Sequence, residues 1–186
     1  MTVPTFVERV QSVATDNPTE LGRVVGERVE TLGEALELLE DWTEESRETR
    51  TELASKYESA KDLARDEIRD ASDDDDRDPD DIPTEDLLDH PAVSDHTKQR
   101  LAEYSTKLYV YLDEESAYGE ARTELARALD AELELYADLL PALESGTISV
   151  RDAQQQIARL GREQNLGPPN QTAADVLLES GTKNRE

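Results

Sequence analysis

The chain has 186 residues, of which 45 are acidic and 20 are basic, so its formal net charge at pH 7 is −25. This balance argues against nonspecific nucleic-acid binding, which requires clustered lysine and arginine to displace counterions from phosphates. Because the sequence contains no cysteine, disulfides, thiolate nucleophiles and cysteine-ligated zinc sites are excluded.

The acidic bias also indicates that the protein functions at high salt concentration. The basic residues are 15 arginines and only five lysines. Repulsion among so many carboxylates loosens a compact fold, but at molar salt the Debye length falls to about 3 Å and screens it. A surface of this kind resembles that of cytosolic proteins from extremely halophilic archaea. The sequence shows no signal peptide and no apolar run long enough to span a membrane, so we expect a cytoplasmic protein without membrane contact.

Apolar residues recur at helical spacing from the first residues onward. Thr5 and Glu8 have the spacing of a capping box and predict a short helix over 5–14. Asn17 and Pro18 predict the start of a long helix over 18–71.

The next segment, SDDDDRDPDDIP (72–83), has repelling aspartates and two prolines, and we expect a solvated acidic linker. Thr84 precedes a short helix that ends before Pro91, and a second long helix is predicted over 95–145. The last segment, 147–186, has the pattern of two short helices.

Apolar residues and tyrosines in both long helices follow alternating steps of three and four residues, which is typical of coiled-coil packing. Two such helices joined by a short connection favour antiparallel pairing. The fold class predicted is therefore all-α: a long antiparallel helical hairpin body (1–146), with a short N-terminal helix and a small C-terminal two-helix piece (147–186).

The register of this hairpin can also be predicted. If the chain turns near residue 84, position i on the first helix faces roughly position 168 − i on the second. Each helix has a polar interruption in its seam, and this register places the two interruptions opposite each other. We expect ion pairs there that disfavour slipped pairings. The candidate residues are Arg47 or Arg50 with Glu115 or Glu120, and Arg122 with Glu44, Glu45 or Glu48.

Metal sites have two candidate patterns. A calcium loop starting at Asp74 would place Glu85 at its twelfth position, but Pro79 stands where the loop requires glycine. The pairs Glu37/Glu40 and Glu67/Asp70 resemble the magnesium site of all-α nucleotide pyrophosphatases of the MazG type. These pairs lie about 40 Å apart on one predicted helix, so we expect no shared metal between them.

His90 and His96 lack the Glu-x-x-His spacing of a carboxylate-bridged metal bundle, and we expect exposed turn residues. No nucleophile elbow or glycine-rich phosphate loop occurs. We therefore predict a protein that is not an enzyme and has no cofactor.

The C-terminal piece escapes the acidic bias, since residues 147–186 hold five acidic and five basic residues. A surface without solvating carboxylates is one that we expect to be covered, by the hairpin or by a partner, and the prediction favours a partner. The function predicted is a non-catalytic scaffold or adaptor that binds a protein partner or itself. The alternative is a DNA-associated regulator using Arg151, Arg159 and Arg162, and a pyrophosphatase is the third possibility. The candidate interaction residues are Ile157, Leu160, Val176, Leu177 and Leu178.

If the carboxylates are adapted to a saline cytosol, the melting temperature should rise steeply between about 0.1 M and molar potassium chloride, because added salt screens their repulsion. Thermal unfolding followed by circular dichroism across that range measures the rise. A melting temperature independent of salt would contradict the adaptation.

Overall fold

The computed structural model describes residues 4–71, 78–164 and 166–183. The helices and turns of these ranges include no strand, which confirms the all-α class. In the described part of the chain, no helix is both long and apolar enough to cross a bilayer. The elements in chain order are α1 (Phe6–Gln11), α2 (Pro18–Ala71), a 3₁₀ turn (Pro79–Asp81), α3 (Thr84–Asp89), α4 (Asp95–Glu144), α5 (Val150–Gln164) and α6 (Ala173–Lys183).

Side-chain caps fix the first two helix starts. The Thr5 hydroxyl accepts a hydrogen bond from the Glu8 backbone N–H at 3.3 Å, and the Glu8 carboxylate accepts one from the Thr5 N–H at 2.9 Å. Before α2, the Asn17 side-chain oxygen accepts from the Glu20 N–H at 3.1 Å. These bonds satisfy N–H groups that have no partner within the first helical turn, which is why the sequence signals located both starts.

The described structure divides into two compact units, one formed by Met1–Thr43 with Glu120–Glu186 and the other by Glu44–Gly119. The long helices α2 and α4 contribute to both units and pack antiparallel within each, which confirms the predicted hairpin. The contacts that establish this direction are Arg28–Glu132 and Trp42–Arg122 in the first unit, and Glu67–Thr97 and Ser46–Tyr111 in the second.

The first unit has a core shared by α1, α2, α4, α5 and α6. Gly161 allows α1 to approach α5 closely, since a Cβ atom at that position would lie 3.0 Å from a Val7 methyl. The Gln154 amide fixes the same contact by donating to the carbonyls of Val10 and Val13, at 2.9 and 2.8 Å. Large side chains buried in this core include Phe6, Leu21, Leu32, Leu129, Tyr136, Leu139, Ile157 and Leu177.

Helices α5 and α6 dock on the chain's own helices, whereas the prediction favoured a partner over the hairpin as the cover for their apolar residues. Ile157 is 0% exposed and Leu177 is buried, both within the core of the first unit. Leu178 is partly buried against the same core, while Leu160 and Val176 are half-buried. Helices this short are marginal in water alone, and docking on the chain's own helices supplies the burial they need.

The second unit has a smaller core around the end of α2, the start of α4 and α3. Ile68 and Ala64 of α2 pack there with Leu87 of α3 and Leu101 of α4. Beyond this core, polar groups join the two long helices: the Tyr111 hydroxyl donates to the Ser46 carbonyl at 2.7 Å and lies 2.9 Å from the Ser46 hydroxyl.

The carboxylate of Glu67 on α2 caps the start of α4. It accepts hydrogen bonds from the Ser94 N–H at 2.7 Å, the Ser94 hydroxyl at 2.9 Å and the Thr97 hydroxyl at 2.7 Å. A negative charge is favourable at this position because the helix N-terminus carries unpaired N–H groups and the positive end of the helix dipole. The cap therefore fixes where α4 begins relative to α2.

This cap explains why the predicted register is wrong. The relation 168 − i pairs Glu67 with Leu101 and Arg28 with Leu140, whereas Glu67 contacts Ser94 and Arg28 contacts Glu132. The other contacts between α2 and α4 shift α4 in the same direction, by four residues for Trp42–Arg122 and by eleven for Ser46–Tyr111, so the offset is about one to three helical turns. The prediction placed the turn midway along the connection, but the last turn of α2 extends beyond the start of α4 and packs on α3 and on Val93 instead.

Replacing Glu67 by alanine should lower the free energy of unfolding by about 1 kcal/mol at neutral pH, as expected for a lost N-terminal cap. Burial raises the pKa of Glu67, but the hydrogen bonds from Ser94 and Thr97 outweigh this and hold it below its ordinary value. A depressed carboxyl pKa stabilises the fold above the unfolded pKa of about 4.3, and this stabilisation is lost as the pH falls through the folded value.

Urea unfolding in molar potassium chloride at several pH values measures the difference between Glu67→Ala and the parent chain. Glu58→Ala is the matched control, because Glu58 is an exposed carboxylate on the same helix, paired with Lys61. A Glu67→Ala deficit that stays constant down to the acid end of the range would show that the carboxylate charge is not what stabilises α4.

Candidate functional site

The most deeply buried polar cluster lies in the first unit around Arg28, which is 6% exposed. Its Nε donates to Oε1 of Glu132 at 3.3 Å, and its Nη1 pairs with Oδ1 of Asp175 at 2.9 Å. Its Nη2 donates to the Thr172 hydroxyl, and the guanidinium lies 4.7 Å from the centre of the Phe6 ring. The cluster thus connects α2, α4 and the start of α6.

Glu132 is 0% exposed, and burial raises its pKa. Arg28 and the hydroxyls of Tyr136 and Thr172 oppose that shift, with the Tyr136 hydroxyl donating to Oε1 at 2.8 Å. Its other oxygen, Oε2, is buried without a hydrogen-bond partner among the described residues. Burial also raises the pKa of Tyr136, which keeps the phenol protonated as a donor. Apart from Glu132 Oε2, the cluster's polar groups are directed at one another, which is the arrangement of a structural contact between helices.

A different surface lies on α4 in the second unit, where residues at alternating steps of three and four face solvent. We call these residues the outer seam: Ala102, Ser105, Tyr109, Leu112 and Ser116. At 3.6 residues per turn, the outer seam lies roughly a third of a turn around α4 from the predicted seam toward α2 (Leu101, Tyr104, Leu108 and Tyr111). All five residues of the outer seam are exposed, Tyr109 by 74% and Leu112 by 42%.

The flank of the outer seam away from α2 is low in charge as well: among its exposed residues Thr106, Val110, Asp113 and Ala117, one is charged. On α4 between positions 102 and 117, four of the twelve exposed residues are charged (Glu103, Lys107, Asp113 and Glu114). On α2 in the same unit, eight of the eleven exposed residues between positions 44 and 59 are charged. The exposed surface of this part of α4, and the outer seam above all, therefore carries less charge than the corresponding part of α2.

The predicted metal ligands are placed as follows. Asp74, the first residue of the calcium pattern, lies outside the described residues. Glu67 of the pyrophosphatase pattern is engaged as the cap of α4. The His90 ring nitrogen Nδ1 accepts from the Ala92 N–H at 3.2 Å, within the turn before α4. Within the described ranges, no three or more acidic or histidine side chains are arranged to hold a metal ion.

The residues of the predicted ion pairs have other neighbours as well. Arg47 pairs with Glu44 of its own helix at 2.8 Å, and the Arg122 guanidinium lies 5.1 Å from the centre of the Trp42 ring. The Glu115 carboxylate lies 3.4 Å from the Tyr111 hydroxyl. Arg50 and Glu120 are exposed, and pairing between the two polar interruptions stays a prediction.

The arginines proposed for DNA contact lie on α5. Arg151, Arg159 and Arg162 are all exposed, and Arg159 pairs with Glu163 one turn later at 2.6 Å. The use of these residues against DNA likewise stays a prediction.

Sequence reasoning missed both the cluster around Arg28 and the outer seam. A signal for the first was Glu132, a carboxylate in a seam position, which requires a buried cation. The signal for the outer seam was the spacing of residues from Ala102 to Ser116. They form a heptad-like row on α4 in addition to the row that was predicted to face α2.

Comparisons with protein-family models, curated proteins and solved structures found no match. The function is therefore inferred from the chain's own surfaces.

We expect removal of the Arg28 charge alone to lower the free energy of unfolding much more than removal of the Arg28 and Glu132 charges together. Arg28→Met leaves Glu132 buried without its cation and should lower the free energy of unfolding by about 3–5 kcal/mol. Adding Glu132→Gln to that variant removes the fully buried uncompensated charge, keeps an acceptor for Tyr136 and leaves only the partly exposed Asp175 without its cation, so much of the loss should be recovered. Chemical unfolding in molar salt measures both. A double variant as unstable as Arg28→Met would mean that the buried charge is not the cause.

Proposed function

We propose that the protein is a non-catalytic interaction protein of a saline cytoplasm, and that it uses the outer seam of α4 to pack against a helix of a protein partner. This retains the scaffold function expected from the sequence and moves its surface from the C-terminal piece to the second unit. The single observation that carries the proposal is the exposure of Tyr109 within an uncharged, heptad-spaced row.

Hydrophobic burial supports this assignment. Tyr109 and Leu112 lie one turn apart on the same side of α4 and are exposed by 74% and 42%, and Val110, next to Tyr109, is exposed by 47%. Single exposed apolar residues are ordinary, but a contiguous exposed group marks an interaction surface. Tyrosine contributes a large apolar ring and a hydroxyl that tolerates water, and for this reason it is enriched at protein interfaces.

The spacing identifies the kind of partner. Residues at alternating steps of three and four form the row that a packed α-helix presents to a neighbouring helix. Small residues at both ends of the outer seam, Ala102 and Ser116, allow a second helix to approach closely there. A helical partner fits this surface better than an extended peptide, which requires an exposed strand edge.

Introducing a charge at the centre of the outer seam should abolish this association. With tagged chain as bait in molar potassium chloride, Tyr109→Glu should lose the protein that the parent chain retains, whether a second copy or another protein, because burying an unpaired carboxylate is costly. Ser59→Glu is the matched control, since Ser59 is an exposed residue of α2 in the same unit. Both variants should melt at the parent temperature, and retention of the same partners by Tyr109→Glu would contradict the proposal.

A further inference from the structure

The charge of the outer seam distinguishes between kinds of partner, provided that the proposed function holds. A different protein that binds an acidic chain gains most from basic residues placed against carboxylates. A second copy has no such basic surface to offer, because it carries the same net charge of −25. Self-association of an acidic chain requires a surface from which charge is missing, and the outer seam is such a surface.

The order of residues in the outer seam is complementary to itself. In an antiparallel pair related by a twofold axis at Tyr109, Ser105 of one copy faces Leu112 of the other, and Ala102 faces Ser116. Each large residue away from the axis then packs against a small one, as ridges-into-grooves packing of helices requires. The charged flank residue Asp113 falls beside Thr106 of the second copy, whose hydroxyl can donate to it, and two aspartates do not meet.

A hollow for Leu112 exists beside Ser105. A shallow depression of about 320 Å³ is lined by Ser105 and Leu101 of α4, by Thr84, Glu85 and Leu88 of α3, and by Tyr57 of α2. Its two leucines and its tyrosine suit a leucine from outside, in the manner of a knob entering a hole, with Glu85 at the polar side of the depression. Parallel pairing would place Ser105 against Ser105 and leave both depressions empty. The depression therefore favours the antiparallel arrangement.

We infer that two copies of this chain form a twofold-symmetric dimer through antiparallel packing of their outer seams about Tyr109. Such an interface is isologous, so the same contacts occur twice, and Leu112 of each copy occupies the depression at Ser105 of the other.

The absence of native cysteine permits a test by disulfide formation without background. A disulfide requires Cα atoms within about 7 Å. Tyr109→Cys lies on the twofold axis and should cross-link to itself under mild oxidation in molar potassium chloride. Its rate should exceed that of Glu48→Cys, an exposed control on α2, by about tenfold, because aligned thiols have a high effective concentration. Ser105→Cys and Leu112→Cys should each form no cross-link alone and should cross-link when mixed.

Sedimentation of the parent chain in the same salt provides a second measurement, with a dimer expected and Tyr109→Glu expected to be monomeric. Self-cross-linking of Ser105→Cys and Leu112→Cys, each alone, would overturn the antiparallel arrangement. A monomeric parent chain whose Tyr109→Cys reacts no faster than Glu48→Cys would overturn the dimer. If the parent chain is a monomer but retains a different protein, loss of that protein by Tyr109→Glu would still support the proposed function. Retention of that protein by Tyr109→Glu would contradict both the proposed function and the dimer.

Discussion

The first unit depends on a charge that cannot reach solvent. Arg28 is inserted among apolar residues, and the cost of removing its charge from water is offset only because Glu132 and Asp175 approach it from α4 and α6. Thr172 completes the set and belongs to the segment that begins α6. The placement of the C-terminal helix follows from this constraint, since undocking α6 removes two of the cation's partners. Because salt ions cannot enter the cluster, its strength should change little with ionic strength, unlike the surface repulsion.

The two units are stabilised to different extents. Among the described residues, the core of the first unit contains twenty buried apolar residues and that of the second contains six. At about 25 cal/mol for each Å² of apolar surface removed from water, so small a core leaves the second unit little reserve. Its remaining contacts are specific and polar: the Glu67 cap and the bond between Tyr111 and Ser46. Such bonds fix one register of α2 against α4 without adding much burial, and further burial would come from covering the outer seam.

The fold was predictable from sequence where local chemistry decides it. The caps at Thr5 and Asn17 and the heptad-like spacing give the helix starts, the all-α class and the hairpin, because each depends on neighbours within a few residues. The register was not predictable, since Glu67 meets Ser94 across the connection between α2 and α4 and nothing local connects them. The Arg28 cluster joins residues from three helices, and Tyr109 becomes notable only when its exposure is known.

Two parts of the chain lack the acidic excess of the rest: the C-terminal piece (147–186) and the outer seam of α4. In a chain with this many carboxylates, surfaces that become buried in contacts should hold few of them. Each buried carboxylate requires a cation, and the chain has few basic residues. Residues 147–186 carry balanced charge, and the structure shows that their helices α5 and α6 are covered by the chain's own core. The same logic applied to α4 identifies a second depleted surface, the outer seam, which no residue of the described chain covers in the way that the core covers Ile157 and Leu177. Selection for an acidic surface alone gives no reason to omit carboxylates there, whereas a contact made after folding does.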